Sequence, residues 1–245
     1  MRPEPSSGKL KKNNMLNQLI RELQQAADSE RAKNLKWFFK TGKGEYGEGD
    51  RFLGIAVPNL RTISKKYQSL GIKDLQKLID SKIHEHRLSS LMILRMKYQK
   101  ANIKDQSLIV RFYLKNTKKI NNWDLVDLSS HYILGNWLID KDKKILFKLA
   151  RSKNLWEKRI SIISTFAFIR ENQFSDTTKI SEILLKDKND LIHKAVGWAL
   201  REIGKKDKKT EIDFLNKHYK TMPRTMLRYA IEKFSDKERK FYLSK

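Results

Sequence analysis

Residues 121–127, which read NNWDLVD, bring a large aromatic side chain and a carboxylate within one helical turn near the middle of the chain. Trp123 and Asp127 are four positions apart, so on an α-helix both side chains leave the same face and could contact a single ligand. The alternative is that Trp123 packs in the core and Asp127 caps a helix or pairs with a lysine, which is the commoner role for such residues. The rest of the chain must decide between the two.

The charge of the chain limits what that ligand can be. The 245 residues include 53 Lys and Arg against 28 Asp and Glu, a formal net charge of +25. An excess of this size indicates a polyanionic partner, for which nucleic acid is the first candidate and an anionic membrane surface the competitor. Lysine-rich proteins also carry such charge without binding anything, so composition alone favours nucleic acid only in part.

Several classes of protein are excluded by composition. The chain has no cysteine, which excludes disulfides, thiolate metal sites and a cysteine nucleophile. It has no apolar run long enough for a membrane span and no hydrophobic signal segment, so we expect a cytoplasmic protein. The two imidazoles of the sequence His84-Glu85-His86 would lie on different faces of a helix, and the other histidines are scattered. We therefore expect neither a metal nor another cofactor.

Helical periodicity extends over almost the whole chain from Asn13 onward. Residues 1–12 are polar and contain two prolines, which predicts a disordered leader before a single domain of residues 13–245. Residues 41–54, TGKGEYGEGDRFLG, hold five of the ten glycines and predict an irregular loop or lid. This loop lacks the Lys-Ser or Lys-Thr and the preceding strand that are typical of phosphate-binding loops.

Paired helices recur after Gly71 with a period in the mid-thirties. The second helix of each pair carries one of five residues, separated by 36, 36, 35 and 34 positions: Arg87, Trp123, Arg159, Lys194 and Arg228. Helix pairs at this period, without a strand pattern, predict an all-α fold, specifically a HEAT-like α-solenoid of paired helices that stack into a curved superhelix.

Equal phase in a solenoid predicts neighbouring positions on one surface. The residues four positions after the five above form a second column: Leu91, Asp127, Ile163, Trp198 and Glu232. The two columns together predict one groove that holds two tryptophans, a carboxylate and several cations, with Arg201 extending it. For Arg159 and Lys194 the alternative is a structural role, in which they join one repeat to the next. Three tryptophans lie outside the columns and are interpreted as packing residues: Trp37, Trp137 and Trp156.

Four segments carry a resemblance to a known family: NNWDLVDLSS, LWEKRISIISTFAFIR, DLIHKAVGWALREIGKKD and MPRTMLRYAIEKF. They resemble the successive signature segments of the AlkD-type DNA alkylation repair glycosylases, a HEAT-like family, and FLGIAVPNLRTISKKY extends the match to about Gly54. The resemblance implies a monofunctional DNA glycosylase of base excision repair. It would release cationic bases such as N3-alkyladenine and N7-alkylguanine without inserting them into a deep pocket, unlike most glycosylases.

The same resemblance implies roles for single residues. Trp123 and Trp198 would contact the lesion nucleotide, Asp127 would be the catalytic carboxylate, and Arg159 would contact a backbone phosphate. Further candidates for phosphate contacts, from charge and position alone, are Arg61, Lys65, Lys194, Arg201, Arg224 and Arg228. The expected partner is double-stranded DNA containing alkylated purines, bound by a monomer. Asn122 departs from the family pattern, since relatives often have a second tryptophan there, and this leaves the lesion range open.

Two alternatives to the glycosylase remain open. Some members of the wider superfamily keep the solenoid but bind branched or damaged DNA without excising a base. A protein-binding HEAT scaffold is the other alternative, and it would have a concave wall of apolar and acidic residues. The presence of both Trp123 and Asp127 favours the enzyme.

Overall fold

The computed structural model describes residues 7–244, with side chains described from Met15 onward. This part of the chain is built of α-helices with short 3-10 and π-helical turns, and its β-structure is limited to an isolated bridge between Arg51 and Ile83. The predicted all-α class is confirmed. None of the helices described is long and apolar enough to cross a membrane.

The chain divides into two compact units, Met1–Leu125 and Val126–Lys245. The helices of the first unit are α1 (Ser7–Gln25), α2 (Ser29–Phe38), α3 (Val57–Lys66), α4 (Ile72–Ile79), α5 (His84–Lys100) and α6 (Ile103–Lys115). Helix α7 (Trp123–Asp127) contains the boundary. The helices of the second unit are α8 (Asn136–Leu138), α9 (Lys144–Ala150), α10 (Leu155–Ser164), α11 (Phe166–Arg170), α12 (Ser175–Leu184), α13 (Asp190–Lys206), α14 (Lys208–His218), α15 (Arg224–Ala230) and α16 (Asp236–Leu243). The domain predicted for residues 13–245 extends over both units.

Three of the predicted helix pairs pack together: α4 with α5, α9 with α10, and α12 with α13. In the first unit α3 and α4 both pack against α5. In the second unit α9 packs against α10, while α12, α14 and α15 pack against α13, which also contacts α10. The second helices of the pairs carry the repeat residues Arg87, Arg159, Lys194 and Arg228.

Polar side chains decide where the site helices begin. Asn154 accepts hydrogen bonds from the backbone N–H groups of Trp156 and Glu157 at the start of α10. Asn189 does the same for Leu191 at the start of α13. Because such caps satisfy amide groups that have no partner within the helix, they favour a helix start at one position. The caps thereby position Arg159 and Lys194 along their helices.

Helix α1 begins at Ser7, inside the segment predicted to be a disordered leader, while residues 1–6 of that prediction lie outside the described residues. Both prolines of the segment precede Ser7, so no proline interrupts the helix after that point. The helix packs against α3 and buries Leu16, Leu19 and Leu23.

Residues 41–54 form turns between α2 and α3. Their end is fixed by Glu85 of α5, whose carboxylate accepts hydrogen bonds from the backbone N–H groups of Leu53, Gly54 and Ile55 at 2.9, 2.8 and 3.4 Å. Gly54 has a φ of +85°, and a Cβ there would lie 2.1 Å from the carbonyl oxygen of Asp28. Because both the backbone conformation and the close contact require glycine, this end of the loop has little freedom to move.

Candidate active site

Asp127 and Arg159 form a two-point ion pair in the second unit. Nε of Arg159 donates to Oδ1 of Asp127 at 2.9 Å, and Nη2 donates to Oδ2 at 2.7 Å. Nη1 donates to the carbonyl oxygen of Leu191 at 2.6 Å, at the start of α13. The Arg159 side chain is only 6% exposed, whereas that of Asp127 is 17% exposed. Since a carboxylate has more acceptor positions than this pair uses, Asp127 can still accept a hydrogen bond from a ligand.

Arg159 has protein partners in this structure, and the phosphate contact that the resemblance implied for it stays a prediction. A buried guanidinium needs partners to compensate its lost hydration, and Asp127 and the Leu191 carbonyl provide them. Arg159 joins α7, α10 and the start of α13, as expected for the structural role that was weighed as its alternative. In doing so it fixes the orientation of the Asp127 carboxylate.

The helix starts change the alignment of the residues in the predicted columns. Asp127 is the fifth residue of α7, as Arg159 is of α10, Lys194 of α13 and Arg228 of α15. Asp127, and not Trp123, therefore occupies the position equivalent to Arg159. The alignment from sequence counted positions along the chain, including the loops, and it therefore placed Trp123 opposite Arg159. Helix α7 begins directly at Trp123, whereas each of the other three helices begins four residues before its cation.

The second predicted column is not a common surface. Leu91 and Ile163, which were aligned with Asp127, are 2% and 1% exposed and belong to the core. Arg87 of the first column is also buried, where Nη2 pairs with Oδ2 of Asp50 at 2.6 Å. These residues line no groove, because one face of each helix must be buried against its neighbours.

The chain after Asp127 continues through a π-helical turn, His131–Gly135, before α8. A Cβ at Gly135 would lie 2.2 Å from the carbonyl oxygen of Ser164, so glycine allows this turn to approach α10 closely. Turns of this kind interrupt the hydrogen bonding of an α-helix and are frequent at functional sites.

Trp123 is half-buried in an aromatic cluster of the first unit. Its ring lies 5.3 Å from that of Phe39 and 5.8 Å from that of Phe38, between ring centroids. Its backbone N–H donates to Oδ1 of Asn122, which is fully buried. Packing and ligand contact are therefore compatible for Trp123, since part of the indole stays accessible.

A buried ionic cluster lies next to Trp123 and was missed in the sequence, where His84 was weighed only as a metal ligand. Nε2 of His84 lies 2.7 Å from Oδ2 of Asp124, and Nδ1 lies 3.6 Å from Oδ2 of Asp50. Burial alone would lower the pKa of His84, but the charge of Asp124, its hydrogen bond to Nε2 and the nearby carboxylate of Asp50 raise it to about 9. His84 thus joins α5 to the first turn of α7 as a cation at neutral pH.

Trp198 lies on α13, one turn after Lys194, and is partly exposed. Its ring makes an edge contact with Phe166 at 4.5 Å between centroids, and Nε1 donates to Oε1 of Glu202 at 3.1 Å. Neither neighbour was identified from the sequence. One face of the indole is thereby supported while part of the side chain remains accessible.

The predicted phosphate contacts fall into two groups. Arg201 is 16% exposed and pairs with both Glu202 and Glu232, so it is less accessible than predicted. Lys194 is half-exposed and pairs with Asp190 at 2.8 Å. The remaining candidates are exposed: Arg61 and Lys65 on α3 of the first unit, and Arg224 and Arg228 on α15 of the second.

The three tryptophans interpreted as packing residues differ in their environments. Trp156 is buried, as expected, and Trp137 is partly buried with Nζ of Lys141 at 4.1 Å from its ring centroid. Trp37 is 85% exposed, so for this residue the interpretation is wrong. It lies in the last turn of α2, where the periodic pattern ends.

Within the described part of the chain, no three or more His, Asp or Glu side chains come together in a group that could hold a metal ion. The acidic and imidazole groups near α7 are instead paired with each other or with arginines.

The chain belongs to the DNA alkylation repair enzyme family, whose model matches residues 19–234. A solved structure described as "Predicted DNA alkylation repair enzyme from Enterococcus faecalis" is similar, with a TM-score of 0.66 and 15% sequence identity. The similarity covers 86% of this chain and 97% of that chain, and at this identity it shows the fold alone. No curated protein matches. The family assigns the chain a role in the repair of alkylated DNA.

Proposed function

We propose that the protein is a monofunctional DNA glycosylase that excises cationic alkylated purines, such as N3-alkyladenine and N7-alkylguanine, from duplex DNA in base excision repair. The observation that carries the proposal is the Asp127 carboxylate, which is partly exposed and held in one orientation by two hydrogen bonds from Arg159. It lies one helical turn after Trp123 within α7.

The proposed reaction needs an ionised carboxylate, but it needs no general acid to protonate the leaving base. An alkylated purine already carries a positive charge, so its bond to C1′ of the sugar can break with the electron pair leaving on the base, which becomes neutral. Positive charge then develops on the sugar ring. Asp127 would stabilise this charge and orient a water molecule, whose oxygen bonds to C1′ while its proton passes to the carboxylate and then to solvent. The products are the free base and an abasic site.

The aromatic residues would select for the charge of the lesion. The indoles of Trp123 and Trp198 can each attract a cationic nucleotide through the ring face, worth roughly 0.5–2 kcal/mol depending on desolvation. The exposed cations Arg61, Lys65 and Arg228 would hold the duplex by its phosphates, which gives affinity without sequence preference.

The test is release of 7-methylguanine or 3-methyladenine from methylated duplex DNA. The wild-type protein should release the base, and Asp127→Asn should reduce the rate at least a hundredfold while DNA binding is retained. Asp213→Asn is the matched control, because Asp213 is an exposed carboxylate that pairs with Lys209 on α14, and its rate should equal that of the wild type. Wild-type rates in Asp127→Asn would remove this carboxylate from the chemistry.

The ion pair itself favours a second candidate, a non-catalytic protein that binds damaged or branched DNA. In that case Asp127 serves only as the partner of Arg159 between neighbouring repeats. This candidate predicts no base release by the wild type but DNA affinity that falls steeply with salt. A scaffold that binds proteins would show neither.

A further inference from the structure

Helix α2 ends in two aromatic residues that face solvent. Trp37 is 85% exposed and Phe38 is 52% exposed, and Trp37 is the most exposed of the large apolar side chains in the described part of the chain. Single exposed apolar residues are common on protein surfaces, but these two aromatic side chains line the same two open hollows. Such an area indicates a binding surface.

Phe38, one residue of the aromatic pair, packs against other aromatic rings of the first unit. The ring of Phe38 makes edge contacts with Phe39 at 5.1 Å and with Trp123 at 5.8 Å between centroids. Phe39 is buried and stacks on Phe52 at 5.2 Å with an interplanar angle of 5°. Because Phe39 is held in the core of the first unit, the Phe38 ring next to Trp37 keeps a defined position.

The surroundings of the pair are basic. Three lysines line one open hollow together with Trp37 and Phe38: Lys33, Lys36 and Lys40. Glu45 is the acidic residue that lines the same hollow, and its Oε2 already accepts a hydrogen bond from the backbone N–H of Gly42 at 2.7 Å. Arg31 lines a second hollow together with the same aromatic residues. The apolar rings are thus surrounded by positive charge.

We propose that Trp37 and Phe38, with Lys33, Lys36 and Lys40, form a DNA-binding surface for a strand in which one base is unstacked. Aromatic faces bind nucleobases by stacking, and neighbouring cations bind the phosphates on either side. In an intact duplex each base face is covered by the next base pair. The Trp37 indole therefore gains most from a base that has left the stack.

The position of the surface connects it with the proposed site. Phe38 contacts Trp123, the residue proposed to lie beside the lesion nucleotide, and both belong to the first unit. A DNA strand that leaves Trp123 would meet Phe38 and then Trp37. The inference rests on the DNA-binding part of the proposed function, and it is independent of the excision chemistry of Asp127.

The experiment compares two labelled duplexes of one sequence, fully paired or with a single unpaired base, by fluorescence anisotropy at fixed salt. The wild-type protein should bind the second duplex more tightly. Trp37→Ala should reduce this preference roughly fivefold or more while affinity for the paired duplex changes less than twofold. Phe241→Ala is the matched control, since Phe241 is 59% exposed on α16, and it should retain the full preference. Thermal unfolding of each variant checks that the fold is retained.

Several results would overturn the proposal. The first is a wild-type protein without preference for the unpaired base, and the second is a Trp37→Ala variant that keeps it. If Trp37→Ala loses self-association but keeps the DNA preference, the surface binds a second copy of the chain. If the variant instead loses binding to vesicles of anionic phospholipid and keeps the DNA preference, the surface binds a membrane. Asp127→Asn should keep the preference, so failure of the excision chemistry and failure of this surface are distinguished.

Discussion

The guanidinium of Arg159 meets the carboxylate of Asp127 through two hydrogen bonds, of 2.9 and 2.7 Å, across 32 positions of the chain. The pair can serve two purposes at once. It compensates the burial of the arginine, and it holds the carboxylate of Asp127 in one orientation, as the proposed excision would need. The two purposes respond differently to substitution.

Arg159→Lys tests the positioning role. Lysine keeps the charge but cannot donate two parallel hydrogen bonds, so we expect the excision rate at saturating DNA to fall about tenfold or more while the affinity for DNA changes less than twofold. Urea unfolding should show a loss of stability of about 2 kcal/mol, since a buried charged group loses part of its pairing.

The opposite pattern would support the role that the resemblance implied for Arg159. In that pattern the affinity of Arg159→Lys for DNA falls, the salt dependence of binding weakens, and the excision rate at saturating DNA is unchanged. Such a result would indicate that the arginine binds a backbone phosphate. Arg228→Lys, at an exposed position of equal register on α15, serves as the control and should keep the wild-type rate at saturation.

Trp198→Ala tests selection for charge. The variant should lose preference for cationic over neutral lesions by about 2- to 30-fold, which corresponds to a cation–π contribution of roughly 0.5–2 kcal/mol. The measurement is competition between duplexes that carry a cationic or a neutral modified purine. Trp137→Ala, a partly buried tryptophan that contacts Lys141, is the control, and an unchanged preference in Trp198→Ala would count against the aromatic contact.

Exposed and paired cations should differ in their contribution to DNA binding. Arg228→Gln and Lys65→Gln should each weaken binding to all sequences and reduce the slope of log K against log salt by about one. Arg201 already pairs with Glu232 and Glu202, so Arg201→Gln should change the slope less. Equal slopes for the three variants would show that the ion pairs of Arg201 open when DNA binds.

His84 should make stability depend on pH. Its pKa is raised from 6.5 to about 9 in the folded protein, so the folded state binds the proton more tightly than the unfolded state. The stabilisation is fully present below pH 6.5 and is lost as pH rises through 9, and a shift of this size corresponds to at most about 3 kcal/mol. Urea unfolding should show a wild-type advantage over His84→Gln that shrinks between pH 6 and pH 10. A constant difference would contradict the ionic role.

Glu211 should show a pH dependence of a different origin. Burial raises the pKa of this carboxyl from 4.5 to about 8, so charging it costs stability as pH rises through that range. Glu211→Gln should therefore gain stability over the wild type with increasing pH, by at most about 5 kcal/mol above pH 8. Denaturant unfolding between pH 4 and pH 9 measures the gain, and an advantage of the variant that is already complete at pH 4 would exclude this cause.

The sequence by itself determined the all-α class and the family, and it singled out Trp123 and Asp127 as candidates for the site. These features depend on interactions between residues close together in the chain. Helical periodicity is such a feature, and so are the caps formed by Asn154 and Asn189, which act within a few residues. Local patterns of this kind can be read without knowing what packs against them.

The tertiary structure decided which charges and aromatic rings are accessible. Arg159 and Arg228 are the same residue type at the same helix position, yet Arg159 is buried on Asp127 and Arg228 is exposed. Trp37 was interpreted as a packing residue and faces solvent, while His84 proved to be the centre of a buried ion cluster. Burial and ion pairing join residues that are tens of positions apart, and loop lengths displace their register. No periodicity along the chain encodes these relationships.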